Sequence, residues 1–257
     1  MALLPASTGW TFEILPVSQE VQLAVGNAAE VGYVFHNDAE KKRNIEISVV
    51  EWRSYAWNRE KGIKIEQWFP AENLRCLEIE PGEKKKVTFK VNVPRTARGE
   101  LAGMIYFSDT DPSQQYKIKF GVSLYIRVSG TVETDVGLSE VGGSREPDKA
   151  VQGENLKFWV KVLNRGNVHL RPTISASVES REGVFEIPFK YGTPVFPGEQ
   201  VVFPGEVAPG KRLPPGEYKM TVRLKEPGLR KDFVQTGVLR VTKDAMRFSN
   251  QGIRDGR

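Results

Sequence analysis

The sequence predicts an all-β chain built as two tandem immunoglobulin-like β-sandwich domains, and three observations predict it. Short runs rich in Val, Ile, Phe, Thr and Tyr alternate with polar residues and stop at Gly, Pro, Asn or Asp, the period-two signature of half-buried strands. Helical periodicity is almost missing, with residues 148–151 the best short stretch. The chain also repeats itself, which at 257 residues leaves room for two domains, each with its own core.

The repeat is one of turn chemistry. In the first half, residues 31–35 (VGYVF) reach a His36-Asn37-Asp38 turn, and 44–52 follow as the next strand. In the second half, residues 156–163 (LKFWVKVL) reach Asn164-Arg165-Gly166-Asn167, and 173–178 follow. Each half then carries Pro-Gly-Glu, at Pro81-Gly82-Glu83 and Pro197-Gly198-Glu199. A second Gly-Glu leads into a strand at Gly99-Glu100 and at Gly216-Glu217, spaced 17 and 18 residues from the first Gly, so the two halves follow one plan. Two sheets packed face to face explain the alternation, because each strand then has one buried and one solvated side.

The elements fall in order. Residues 1–9 read as the remnant of a signal peptide or a disordered end. Residues 10–135 form the first sandwich. Residues 136–150 read as a linker, since Gly137, Gly142-Gly143-Ser144 and Pro147 break the strand pattern. Residues 151–243 form the second sandwich, with Trp159 expected in its core, and 244–257 a C-terminal tail, disordered or docking.

Composition narrows the chemistry. No run approaches the roughly 18 apolar residues of a membrane span. The single cysteine, Cys76, rules out an intrachain disulfide, and the two histidines, His36 and His169, sit beside Asn without metal-ligand spacing. A Gly-x-Ser-x-Gly elbow is missing, and Gly142-Gly143-Ser144 lacks the lysine of a phosphate loop. No catalytic or metal site and no cofactor are therefore expected, and the chain reads as non-enzymatic. Asp109 and Asp111 have the oxygen chemistry of a calcium loop, but read as turn formers. Trp52, Tyr55, Trp57 and Trp68-Phe69 read as rings closing the first core, with a sugar-stacking face as the alternative. The net charge of +5 resides in the second half, where acids are interspersed, so a solvated surface rather than a nucleic-acid site is expected.

One strand stands apart. In residues 117–128 (KIKFGVSLYIRV), Ile118, Phe120, Val122, Leu124, Ile126 and Val128 alternate without a break. Twelve residues is long against the usual five or six. At a sheet edge such a strand offers its backbone to a partner strand; paired on both sides it is an ordinary core strand.

The Asn37-Asp38 turn, Trp52 ending the next strand, Trp68-Phe69-Pro70, Leu77-x-Ile79-x-Pro81-Gly82, Val93-Pro94, Gly99-Glu100 and the long strand 117–128 follow one another in order. Over roughly residues 12–130 this series resembles the periplasmic pilus-assembly chaperones, the PapD-like superfamily, which have two Ig-like domains. The resemblance implies that Ile118, Phe120, Val122, Leu124 and Ile126 lend alternating apolar side chains to an incomplete pilin. It also implies two basic anchors for the pilin carboxylate, an Arg on the first strand and a Lys in the long one. This sequence departs at both: no Arg or Lys occurs in residues 1–40, and Ser123 holds the matching place in the long strand. Lys119 and Arg127 are the candidate substitutes. The expectation is an extracytoplasmic (periplasmic or extracellular) chaperone-like or assembly protein that binds a pilin-like or surface subunit by strand addition, with neither nucleic acid nor membrane span. A self-associating cell-surface or filament component is the alternative.

Overall fold

A computed structural model describes residues 12–110, 119–148, 153–181, 183–207, 213–243 and 245–250. The chain divides into two compact units, Met1–Val132 and Glu133–Arg257, and both are all-β immunoglobulin-like sandwiches. Residues 1–9 lie outside the described residues.

In the first unit the strands are β1 (Phe12–Leu15), β2 (Ser18–Leu23), β3 (Ala28–Asn37) and β4 (Arg43–Ser54), then β5 (Cys76–Ile79), β6 (Lys84–Asn92), β7 (Glu100–Asp109) and β8 (Lys119–Val128). Two short helices, α1 (Ala56–Glu60) and α2 (Ile65–Trp68), interrupt them after β4. One sheet has the order β1-β3-β6 and the other β2-β8-β7-β4-β5. The chain crosses from the first sheet to the second between β1 and β2, at Pro16 and Val17. Alternation decides the core: Val31, Tyr33 and Phe35 point inward from β3, Val87, Phe89 and Val91 from β6, and Ile105 and Phe107 from β7. The rings of Phe89 and Phe107 meet edge to face at 6.2 Å, a favoured aromatic geometry.

The second unit holds β9 (Val136–Asp148), β10 (Gly153–Asn164), β11 (Thr173–Ser180), β12 (Gly183–Pro188), β13 (Gln200–Glu206), β14 (Gly216–Lys225), β15 (Phe233–Val241) and β16 (Met246–Asn250). They form one curled sheet in the order β12-β11-β14-β15-β16-β9-β10-β13, wrapped around a core of Phe158, Val160, Val162, Val178, Phe203, Met220, Val222 and Leu239. Its two ends meet where Lys190 N donates to Pro204 O at 2.9 Å.

Three expectations about this half are corrected. The stretch 136–150 is no linker over 136–148: it is β9, paired with β10 from Val136↔Asn164 to Asp148↔Gly153. Its glycines are sites of close approach rather than punctuation. A Cβ on Gly142 would lie 2.7 Å from the Trp159 ring, and one on Gly143 would lie 2.8 Å from Lys157 O and 2.7 Å from Met246 Cε. The tail is corrected too, since Met246–Asn250 pairs with β15 and buries Met246 in the core; residues 251–257 lie outside the described residues. Finally, Trp159 points out of the core. It lies half-buried across Gly142 with Nε1 donating to Glu140 Oε1 at 3.3 Å, while its neighbours Phe158 and Val160 point in. Because the Lys157 carbonyl is fixed main chain, Gly143→Ala is expected to cost the second unit about 2 kcal/mol in urea unfolding, the usual scale of overpacking.

Candidate partner-binding edge

The candidate site is β8, and its two sides differ. On one side it pairs along its length with β7, from Ser108↔Lys119 to Glu100↔Arg127. On the other it pairs in parallel with β2, but only from Ser18↔Ser123 to Leu23↔Val128. Ser123 N donates to Val17 O at 3.1 Å, so the odd-numbered residues of β8 aim their main-chain groups at that side. Lys119 and Gly121 follow the same alternation, and no strand among the described residues pairs with them there. Among the described residues, 119–122 are thus an open edge and 123–128 an internal strand. The sequence causes the change. Proline has no N–H to donate, and upstream of Pro16 the chain belongs to the other sheet.

The side chains divide in the same way. Phe120 faces the core side yet stays 38% exposed, and its ring meets Phe12 edge-on at 4.2 Å, with Phe12 stacked on Phe35 at 4.9 Å. Val122, Leu124 and Ile126 face the same way and are buried. Leu124 and Ile126 lie where β2 occupies the edge, so they are core groups beyond a partner's reach unless β2 leaves. Ile118 lies outside the described residues. Leu15 and Val17, 50% and 67% exposed at the crossover from β1 to β2, are the apolar surface of the segment that precedes β2.

The two candidate anchors part as well. Arg127 Nε donates to Glu100 Oε2 at 3.1 Å, and its Nη2 lies 3.5 Å from Glu20 Oε2, so that guanidinium is already committed to carboxylates of this chain. Lys119 is exposed, on the open half, with Nζ 4.0 Å from the Tyr106 ring centre. Ser123 Oγ bonds Ser18 Oγ at 2.9 Å, which ties β8 to the first residue of β2.

Other edges of this unit are blunted, as natural sheets require. On β6, Asn73 imitates a strand: its Nδ2 donates to Lys90 O at 2.7 Å and its Oδ1 accepts from Lys90 N at 2.8 Å. Arg75 Nη2 adds a bond to Thr88 O at 3.3 Å, and on β5 Lys85 Nζ donates to Glu78 O at 2.6 Å. The first half of β8 carries no such cover among the described residues.

The remaining candidates fall elsewhere. Trp68 and Phe69 are buried in the first core, while Trp52, Tyr55 and Trp57 are half-buried. Asp109 pairs with Arg43, Oδ2 to Nη1 at 2.8 Å, and Asp111 lies outside the described residues. Sequence reasoning missed Phe12, Leu15 and Val17; nothing in their spacing connects them with β8, which the fold alone brings beside them.

No protein-family model matches this sequence, and a search of curated proteins gave no match. Solved structures do match. The class 5 fimbriae chaperone CfaA is 14% identical, with 90% of this chain and 100% of that chain covered and a TM-score of 0.49. A chain of the Salmonella enterica SafA pilin–SafB chaperone complex is 13% identical, with 89% and 97% covered and a TM-score of 0.45. A chain of the CsuC–CsuE chaperone–tip adhesion subunit complex from Acinetobacter baumannii is 11% identical, with 88% and 97% covered and a TM-score of 0.45. These three chains are each matched over 97% or more of their length, at 11–14% identity.

Proposed function

We propose that this protein is an extracytoplasmic chaperone-like or assembly factor that binds a pilin-like or surface subunit by strand addition on the open half of β8. The observation that carries the reading is the edge at residues 119–122, where main-chain groups of Lys119 and Gly121 that no described strand pairs adjoin the core-facing, exposed ring of Phe120. A partner strand laid there continues the line of β2 and gains main-chain hydrogen bonds, with side-chain pockets setting the choice of partner. Phe120 and Val122 line the joint on the core side, and Lys119 is the cation placed to meet an acidic group of the partner. No helix among the described residues is long and apolar enough to cross a membrane.

Amide hydrogen exchange on the monomer tests this. The amides of Lys119 and Gly121 are expected to exchange at least about 100-fold faster than those of Ser123 and Tyr125, since open edges sit at the low-stability end of a fold. A peptide of alternating apolar residues should slow those two amides, and Phe120→Asp should abolish the slowing. Equal protection across β8 in the free monomer, or peptide binding untouched by Phe120→Asp, would sink the proposal.

A further inference from the structure

Away from the β8 edge, the tip of the first unit formed by α1 and the 94–99 turn gathers cations around one indole. Trp57 sits on α1 with Nε1 donating to Thr96 O at 3.3 Å. Asn58, 1% exposed, locks the two segments together: its Nδ2 donates to Arg98 O at 2.8 Å, and its Oδ1 accepts from Arg98 N at 3.0 Å. The Trp57 ring so held has Lys61 Nζ 4.6 Å and Arg98 Cζ 4.7 Å from its centre. Arg95 lies exposed over the Gly26 turn in the same 94–99 segment, and Lys64 is exposed just before α2.

Lys42, Arg43, Lys85, Lys90 and Arg127 each hold a carboxylate, whereas Lys61, Lys64, Arg95 and Arg98 hold none among the described residues. What sets Lys61 and Arg98 apart in their unit is that both converge on one ring, since exposed Lys41, Lys84 and Lys86 also hold no carboxylate among the described residues. Glu60 and Glu66 are the acids of this stretch, both exposed, and neither makes an ion pair with those cations. An indole holds a cation by its quadrupole, but bringing two to one ring raises their mutual repulsion, which an external anion relieves.

We propose that this tip docks on an anionic phospholipid surface. The cations sit on exposed turns, and two surface clefts among the described residues lie away from them, one lined by Glu30, Asn73 and Lys90 and another by Glu179, Pro214 and Tyr218. Projecting turns suit a flat charged plane better than an extended acidic peptide. Half-buried Tyr55 and Trp57 supply the amphipathic rings that settle at a headgroup boundary beside Lys and Arg. The contact is electrostatic and reversible, with each cation near the surface adding a modest increment that salt removes.

Co-sedimentation of the full chain with vesicles tests the assignment. Vesicles containing phosphatidylglycerol should retain the protein at low salt and release it as salt rises, while pure phosphatidylcholine vesicles should not retain it. Lys61→Gln and Arg98→Gln should each weaken retention roughly 5-fold, and the pair roughly 25-fold. Lys219→Gln, in the second unit, should leave retention unchanged. Far-UV circular dichroism and the urea midpoint should be unaltered, because the turn is held by Asn58 and the Arg98 main chain rather than by either cationic side chain. Equal retention on the two vesicle types, or retention unmoved by the double variant, overturns the proposal. So does binding to polyglutamate without binding to vesicles, which would assign the tip to an acidic polypeptide.

Discussion

Replacing Asn164 with alanine is expected to cost the second unit about 4 kcal/mol, and Asn37→Ala is expected to cost the first unit a similar amount. Asn164 is fully buried, with Nδ2 donating to Val168 O and Val195 O, both at 2.8 Å, and Oδ1 accepting from Gly166 N at 2.9 Å. Its main chain is held as well: its N donates to Glu199 O at 3.1 Å, and its O accepts from Gly198 N at 2.9 Å. Asn37 does the same work in the first unit. Its Nδ2 reaches Lys41 O at 2.9 Å, Ile79 O at 3.0 Å and Glu80 O at 3.1 Å, while Oδ1 takes Ala39 N at 3.1 Å. Its N donates to Glu83 O at 3.1 Å, and its O accepts from Gly82 N at 2.7 Å. Alanine would take a donor from Val168 O, Ile79 O and Lys41 O and an acceptor from Gly166 N or Ala39 N, each costing about 1–3 kcal/mol when buried. Val195 O keeps Leu170 N at 3.0 Å, and Glu80 O keeps Glu83 N at 3.1 Å. Aspartate keeps the acceptor but loses the donor, so Asn164→Asp should be nearly as damaging. Native-state hydrogen exchange separates the units. In Asn164→Ala, the slowest amides of β10 and β14 should speed up by about a thousandfold, with those of β3 and β7 unchanged. A loss under about 1 kcal/mol would mean that water satisfies the carbonyls and that the asparagine is not the joint.

That pair of asparagines explains why the repeat was legible. The two Pro-Gly-Glu turns recur because each presents a glycine at positive φ, 71° at Gly82 and 78° at Gly198, whose N–H bonds the carbonyl of the buried asparagine. Turn chemistry is local, so it survives in the sequence without any knowledge of the fold. The alternation of β8 was legible for the same reason and correctly placed Phe120, Val122, Leu124 and Ile126 on one face.

What the sequence left hidden is non-local. Alternation tells which face a strand buries and is silent on which edge is covered, so the division of β8 at Ser123 depends on where β2 stops. Trp159 occupies a strand where one neighbour on each side points inward, and composition alone favoured the core for so large a ring. Only the register with Gly142 shows that the indole has a flat outer seat, an aromatic laid over a strand glycine. Gly142 and Gly143 misled in turn because a glycine that breaks a pattern and one that admits a neighbour read alike. The same holds for Arg127, a free cation in the sequence and the partner of Glu100 and Glu20 in the fold.

Arg43→Met is expected to cost the first unit about 3–5 kcal/mol, more than the loss of any exposed ion pair, because its partner is buried. The Asp109 side chain is 1% exposed and that of Arg43 11%, with Nη1 2.8 Å from Oδ2. Removing the guanidinium leaves a carboxylate out of water at the end of β7. Replacing both residues, as Arg43→Met with Asp109→Leu, removes the desolvation cost with the charge, so the double variant should recover to within about 1 kcal/mol of the parent. Equilibrium urea unfolding of the four proteins of this cycle measures the coupling, and a coupling near zero would show that the pair is ornamental. The pair also has a place relative to the candidate site. Thr110 N donates to Asn44 O at 2.9 Å, so the start of β4 grips the end of β7 twice, one and two residues beyond the Ser108↔Lys119 rung that begins the edge left unpaired among the described residues. If the ion pair holds that rung, Arg43→Met should speed exchange on the β7 side of the rung before the rest of β7 yields, and the double variant should not. Fixing the inner side of β8 while leaving its outer side unpaired is what strand addition requires: a rigid template loses less entropy on binding than an edge that must first be ordered.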